Sequence, residues 1–397
     1  MNRVYLDHAS ATPVRKQVID AMLPYFGEQF GNPSVVYDMG SKIKLVVEEQ
    51  RAKVADLIGA KAENIIFTSS GAEANNLAIK GVALGRQKKG NHIIVSAIEH
   101  HSVLNSARFL ERLDFEVTFL QVDQYGLVDP ERLRSAITPE TVLVSIMHAN
   151  NEIGTIEPIA ELASICRENG VFFHTDAVAS VGNIKVDVRE LNVDLLSLSG
   201  ASFGAPKGVG ALYFAKNTRL MPLIHGGIQE NGRRGGTENV PGIVGLGAAA
   251  ELAREELSEK TESVRKLRDL LIAGVHERID KVKLTGHPVQ RLPGHASFCF
   301  EAIEGESLVF LLAQAGIYAN TGSACASKAL KTSPVLVAIG VPPALAQGSV
   351  VFTIEKSNTL KEIDYVLEKL PAAVDRLRML SPLWGKEAPA YQEAVCT

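Results

Sequence analysis

Six short segments carry residue types that can act on a small ligand. In Phe67-Thr68-Ser69-Ser70-Gly71-Ala72-Glu73-Ala74-Asn75, apolar residues give way to small ones and then to a helical pattern. Backbone N–H groups at such a helix start can face an anion. The same pattern also serves as a plain strand-to-helix turn. His174-Thr175-Asp176-Ala177 places an acid at the end of an apolar run, where it can face a ligand or cap a helix. Glu99-His100-His101 and His148-Ala149-Asn150-Asn151 supply imidazoles and amides, and Gly232-Arg233-Arg234-Gly235-Gly236-Thr237 supplies a hydroxyl among glycines. Thr321-Gly322-Ser323-Ala324-Cys325-Ala326-Ser327 sets one thiol among small residues. A single histidine is more often a satisfied core residue than a catalyst, and a single cysteine more often small packing than a nucleophile. Their joint order is what carries weight.

The elements that must position these groups alternate. Asn64–Phe67, His92–Val95, Val142–Ser145, Val171–His174, Asp194–Ser197 and Gly210–Phe214 read as short buried strands. Amphipathic stretches such as Ser102–Leu113 and Pro158–Arg167 lie between them, with Pro158 suited to a first helical position. Alternating units of this kind predict a mainly parallel sheet covered on both faces. Ligands sit at the strand C-termini of such sheets. A long helical pattern over Gly242–Arg278 connects to a smaller unit, with strands at Ala296–Phe300 and Val350–Ile354 and a helix at Ser307–Ala315. Thr359 and Glu362 form a capping box for a last helix. The expected division is residues 16–255 as a large domain, 1–15 with 256–381 as a small one, and 382–397 as a flexible tail.

The 397-residue chain is 46% hydrophobic and 22% charged, the balance of a folded domain with a sizeable core. A net charge of -4 argues against nucleic acid as a partner. Cys166, Cys299, Cys325 and Cys396 form neither a disulfide framework nor a zinc motif. A reducing, cytoplasmic setting is expected. The first residues carry no apolar signal-peptide core, and no apolar run reaches membrane-spanning length, so no membrane role is expected.

From Tyr5-Leu6-Asp7 through Gly31-Asn32-Pro33-Ser34 to Ser381-Pro382-Leu383, the chain resembles the NifS/IscS cysteine desulfurases of the class V aminotransferase group. Ser-Ala-Cys in a Gly/Ser-rich loop is specific to that group. The resemblance implies an α/β protein of pyridoxal phosphate (PLP) fold type I: a large three-layer αβα domain with a smaller C-terminal α/β domain. It also implies a homodimer and an iron–sulfur scaffold protein of the IscU kind, or another sulfur acceptor, as partner. By the same resemblance His100 stacks on the PLP ring and handles protons, and Asp176 partners its pyridinium nitrogen. Asn151 lies beside cofactor and substrate. Gly71, Ala72 and Ser199 surround the phosphate, and Thr237 reaches it across the dimer. Cys325 becomes the persulfide, or ligates a transient iron–sulfur cluster.

Several positions depart from the family. Leu198-Ser199-Gly200-Ala201-Ser202 stands where Leu-Ser-Gly-His-Lys is expected, so Ser202 replaces the cofactor lysine and Ala201 the histidine before it. A hydroxyl cannot form an imine with an aldehyde. Ala179 replaces a glutamine, Ala72 a threonine, and Lys356 the arginine that clamps the substrate carboxylate. Lysine attracts a carboxylate but lacks the planar fork. Lys207 and Lys328 are the lysines weighed as substitutes for position 202. The expectation is a degenerate desulfurase that works in iron–sulfur cluster assembly or sulfur transfer through Cys325, with PLP absent or non-covalent. The alternatives are a PLP-binding desulfurase or lyase of low activity, and a structural partner of an active paralogue.

Overall fold

The computed structural model describes residues 3–322 and 332–385. Cys325, Lys328, Cys396 and residues 386–397 of the expected tail lie outside the described residues.

Strands β1 (Val4–Tyr5), β2 (Ile65–Thr68), β3 (His92–Ser96), β4 (Glu116–Leu120), β5 (Thr141–Ser145) and β6 (Phe172–Asp176) come first along the chain. They are followed by β7 (Leu195–Ser199), β8 (Gly210–Phe214), β9 (Val282–Leu284), β10 (His295–Phe300), β11 (Ile317–Tyr318) and β12 (Ser349–Thr353). Seven of them form one sheet in the order β2-β8-β7-β6-β5-β3-β4. Its middle is parallel, and β8 runs antiparallel to both β7 and β2. The central strands are buried throughout, which is why they read as unbroken apolar runs rather than alternating ones. The edge strand β4 is half exposed, and its Glu116-Val117-Thr118-Phe119-Leu120 gave no such run.

The first helices are α1 (Lys16–Met22), α2 (Asp38–Leu57), α3 (Gly71–Arg86), α4 (His101–Glu111), α5 (Pro130–Ala136), α6 (Ile159–Glu168) and α7 (Val188–Leu191). Then come α8 (Val240–Arg278), α9 (Gly305–Gln314), α10 (Pro334–Ala338), α11 (Pro343–Ala346) and α12 (Leu360–Leu380). One apolar cluster joins α2, α6 and the first half of α8 to the sheet, and another joins α3 and α4 to it. The sheet is thus the middle layer of an αβα sandwich, and the fold is that of the PLP fold-type-I class.

A third cluster gathers β1, β10, β12, α9, α12 and the second half of α8. The amino-terminal residues Val4 and Leu6 belong to it, because β1 pairs in parallel with β11. The expected boundary at residue 255 falls inside the unbroken α8, and residues of α10 and α11 pack in the first cluster. The capping box of Thr359 with Glu362 forms at the start of α12, as the sequence predicts. Pro158 is the N-cap of α6 rather than its first helical residue.

Candidate functional site

Strand β6 ends at Asp176, a carboxylate only 4% exposed. Its Oδ1 accepts from Val178 N at 2.9 Å and its Oδ2 from Asn75 Nδ2 at 2.6 Å. Burial raises its pKa, and those two donors and the His100 charge oppose the rise without cancelling it. Asn75, on α3, also donates to Ser102 Oγ at 2.9 Å. Ser102 Oγ lies 2.7 Å from His100 Nδ1, and Ser102 N donates to the same nitrogen at 3.2 Å. Nδ1 is therefore an acceptor, and a neutral His100 carries its proton on Nε2. One hydrogen-bonded chain thus runs from Asp176 through Asn75 and Ser102 to His100. Asn75 Oδ1 is buried without a partner. Behind this chain, burial and the Asp176 charge hold the Glu99 pKa well above its ordinary value, while Ser96 Oγ and Met147 N donate to its carboxyl.

Ser70 caps α3 by accepting from Glu73 N at 3.1 Å. A Cβ on Gly71 would lie 2.5 Å from Val178 Cγ2, so the helix start can approach the segment after β6 this closely only with glycine there. Glu73 accepts from Ser69 N at 2.8 Å and Arg234 Nε at 2.9 Å, tying the Gly232–Thr237 segment to this corner. Ser202 follows β7, and its Oγ donates to Ser199 O at 2.8 Å. The hydroxyl is spent on its own backbone, while Ala201 O accepts from Thr12 Oγ1 at 2.8 Å.

Asp176, Asn75, His100, Ser70 and Ser202 line one cavity of about 310 Å³. It brings together Gly71, Ala72, His100, Asn151, Asp176, Ser199 and Ser202, all expected from sequence. Ala179 also lines it. Asn151 presents its backbone to His295, whose Nε2 lies 2.9 Å from Asn151 O. Burial pushes the His295 pKa down to about 3, so it is neutral and donates there.

Two expected residues lie outside the lining. Thr237 is exposed. Lys356 is absent from the cavity wall, and its ammonium pairs with Glu259 at 3.0 Å and Glu256 at 3.6 Å. The neighbouring Glu355 takes the place on the cavity instead: the chain turns after β12, with Asn358 N donating to Glu355 O at 2.9 Å, and the turn carries Lys356 away from the wall. Lys207 does not line the cavity either.

Sequence reasoning missed Asn75, His8, Lys260 and Glu355, all in the lining. Lys260 had a legible signal. It falls on the stripe Ala253, Leu257, Lys260, Val264, Leu267, Leu271, which marks the buried face of α8. Among the described residues no group of three or more His, Cys, Asp or Glu side chains could hold a metal ion. Among them, too, no helix is long and apolar enough to cross a membrane.

A buried acid at a strand end, a histidine tied to it through Asn75 and Ser102, and a helix start beside both line one cavity of a fold-type-I PLP architecture. Residues 4–366 match the family Aminotransferase class-V. The cysteine desulfurase IscS of Methanosarcina thermophila is 53% identical over 384 residues, covering 97% of this chain and 95% of that protein. A solved NifS-like protein superposes with a TM-score of 0.89 at 38% identity, covering 95% of this chain and 100% of its own. A structure described as SspA in complex with cysteine superposes with a TM-score of 0.80 at 36% identity, covering 90% of this chain and 100% of its own. The chain belongs to the class-V aminotransferase family, in its IscS/NifS cysteine desulfurase branch.

Proposed function

We propose that this protein is a cysteine desulfurase-like member of its family that serves iron–sulfur cluster assembly or sulfur transfer through Cys325, with little or no PLP-dependent desulfurase activity of its own. The observation that carries this reading is Ser202. It stands in the cavity wall at the cofactor-lysine position, its hydroxyl committed to Ser199 O. It offers no amine to an aldehyde and none to the reacting carbon. A placed proton-transfer group typically contributes ~10²–10⁴-fold. Without the lysine, and with Ala201 for the histidine beside it, desulfuration is nearly silent.

The remaining lining fits PLP held without a covalent link. Asp176 is a buried carboxylate with no cationic side chain bonded to it, as a pyridinium partner should be. Asn75 Oδ1 lacks a partner, and Ser199 with the start of α3 offers a phosphate seat. Bound there, the cofactor would supply an electron sink to an amino-acid ligand. His100 Nε2 is the proton donor on this side of the cavity. This fit favours a second reading, a PLP-binding desulfurase or lyase of low activity. The test is borohydride reduction followed by peptide mass analysis. No pyridoxyl-lysine is expected, and a pyridoxyl group on any lysine refutes the non-covalent reading.

A second copy of the chain is the expected partner in a homodimer. Leu23, Phe26, Phe30, Val36 and Leu45 are exposed over the segment from α1 to α2, an apolar surface that needs covering. Thr237, which serves no part of its own cavity, is free to serve that of the copy. Cys166 and Cys299 are buried free thiols, in keeping with a cytoplasmic setting.

The Cys325 role is tested by pull-down with an iron–sulfur scaffold protein, scored for persulfide by mass and for cluster by colour. Cys325→Ala should abolish transfer and cluster loading while fold and dimer persist. Unchanged transfer would leave only a structural role beside an active paralogue.

A further inference from the structure

A second polar group of the cavity is built by α8 and the turn after β12. Lys260 is the sole Lys or Arg among the described lining residues. Its ammonium has three N–H groups, and all are used: Gly182 O at 2.9 Å, Asn183 Oδ1 at 3.0 Å and Glu355 Oε2 at 2.8 Å. The lysine side chain is 7% exposed and that of Glu355 is 17% exposed. Two of the three bonds fix the lysine to the Gly182–Asn183 turn. The pair therefore has a pinned member, Lys260, and a more movable one, Glu355, which is the more exposed of the two and whose other oxygen accepts only from the adjacent Lys356 N at 3.1 Å.

His8 lines the same cavity, buried, with neither ring nitrogen partnered. The charges of both Glu355 and Lys260 act on its ring. A buried ion pair beside an unsatisfied imidazole is costly to keep unless a ligand uses it.

We propose that Lys260 is the carboxylate seat of this cavity and that Glu355 is its resident stand-in, displaced by an α-amino-acid ligand onto the ligand's own ammonium. This rests on the reading of the cavity as an amino-acid site. It moves the seat from Lys356, which is paired on the outside, to the buried face of α8.

The exchange is charge-balanced. Before binding there is one pair, Lys260 with Glu355. Afterwards there are two, Lys260 with the ligand carboxylate and Glu355 with the ligand ammonium. No buried charge is left unpaired. A simple carboxylate would instead crowd two anions around one ammonium, and a simple amine would take Glu355 and strand Lys260. The cavity thus selects a small zwitterion against either half of it. His8 can donate to whichever carboxylate lies free during the exchange.

The experiment is equilibrium binding by isothermal titration calorimetry to the full chain as purified. The probes are L-alanine, propionate and ethylamine, which carry both head groups, the acid alone and the amine alone, and no thiol. The wild type should bind L-alanine ~10-fold or more tighter than either fragment, the scale of one charge-assisted hydrogen bond. Lys260→Met should weaken L-alanine and propionate by a similar ~10-fold or more and leave ethylamine no weaker. Glu355→Gln, at the more exposed partner, should strengthen propionate and collapse the preference for L-alanine. That variant keeps the test decisive if Lys260→Met proves unstable in a thermal melt. Wild-type affinity for L-alanine in Lys260→Met, or an undiminished preference in Glu355→Gln, overturns the proposal and leaves the amino-acid site standing. Failure of the wild type to bind L-alanine overturns the site reading and the proposal together, and the Cys325 assays then decide the rest.

Discussion

Glu157, between β5 and α6, offers a quantitative check on how the scaffold behind the cavity is held. Its side chain is 4% exposed; Oε2 accepts from Val128 N at 3.0 Å, while Oε1 has no partner. Burial, with a smaller push from the Asp123 charge, raises its pKa from an ordinary 4.5 to about 8. Between those values the folded chain holds a proton that the unfolded chain has released. Stability therefore falls as pH rises through this window, at up to ~1.4 kcal/mol per pH unit. From pH 6 to pH 8 the loss from this group is about 2 kcal/mol, since the folded carboxyl itself begins to ionise near the upper limit. Glu157→Gln keeps an acceptor for Val128 N and removes the titration. Glu152, raised to about 7 by burial, adds a loss of the same sign in both proteins. His148, His174 and His295, pushed down to about 4, 3 and 3 by burial, are already neutral in the fold at pH 6. They also cancel in the comparison. The assay is urea unfolding followed by far-UV circular dichroism at pH 6 and pH 8. The wild type should lose about 2 kcal/mol more than Glu157→Gln across that interval. Curves that shift in parallel for the two proteins would refute the assignment of a buried, protonated Glu157.

Ser202→Lys should take up PLP covalently, seen as a visible absorption band removed by borohydride. Its cysteine desulfurase turnover should stay at least ~100-fold below that of active relatives, because Ala201, Ala179 and Ala72 are unchanged and pocket groups act as a unit. Family-like turnover in that single variant would show those losses to be unimportant. Gly71→Ala should cost about 1–3 kcal/mol in thermal stability, because the new Cβ meets Val178 Cγ2 at 2.5 Å, and should weaken PLP uptake measured by dialysis. An unshifted melt would mean that the helix start moves aside freely.

The central strands were legible because burial on both faces demands unbroken apolar runs, as in Ile93-Ile94-Val95 and Leu195-Leu196. The Asp176 corner was legible because strand-end acids and small-residue helix starts recur wherever a sheet binds a ligand at its C-terminal edge. Asn75 was not, since nothing local says that an amide in mid-helix reaches an acid about 100 residues on. Lys260 was hidden in a run rich in Glu, Lys and Arg that reads as a solvated face, although its spacing sets it on the apolar stripe. Lys356 and Glu355 show the opposite failure. The more plausible residue type sat one position away from the cavity, and the turn that follows β12, invisible in the local pattern, carries Lys356 off the wall that Glu355 still lines.

The 39-residue helix α8 has a consequence for how this chain can be divided. It is ~58 Å long by the ordinary rise of an α-helix. Its first half packs in the sheet-bearing cluster through Ile243, Leu246 and Ala250, and its second half packs in the other through Val264, Leu271 and Val275. Lys260 falls between those two sets. A cut anywhere along the helix strips one body of its packing face and leaves a frayed stub on the other, so neither has a natural end at which to be expressed alone. The two share a spine, and the lysine whose three bonds hold the cavity's polar wall sits on it where one packing face gives way to the other.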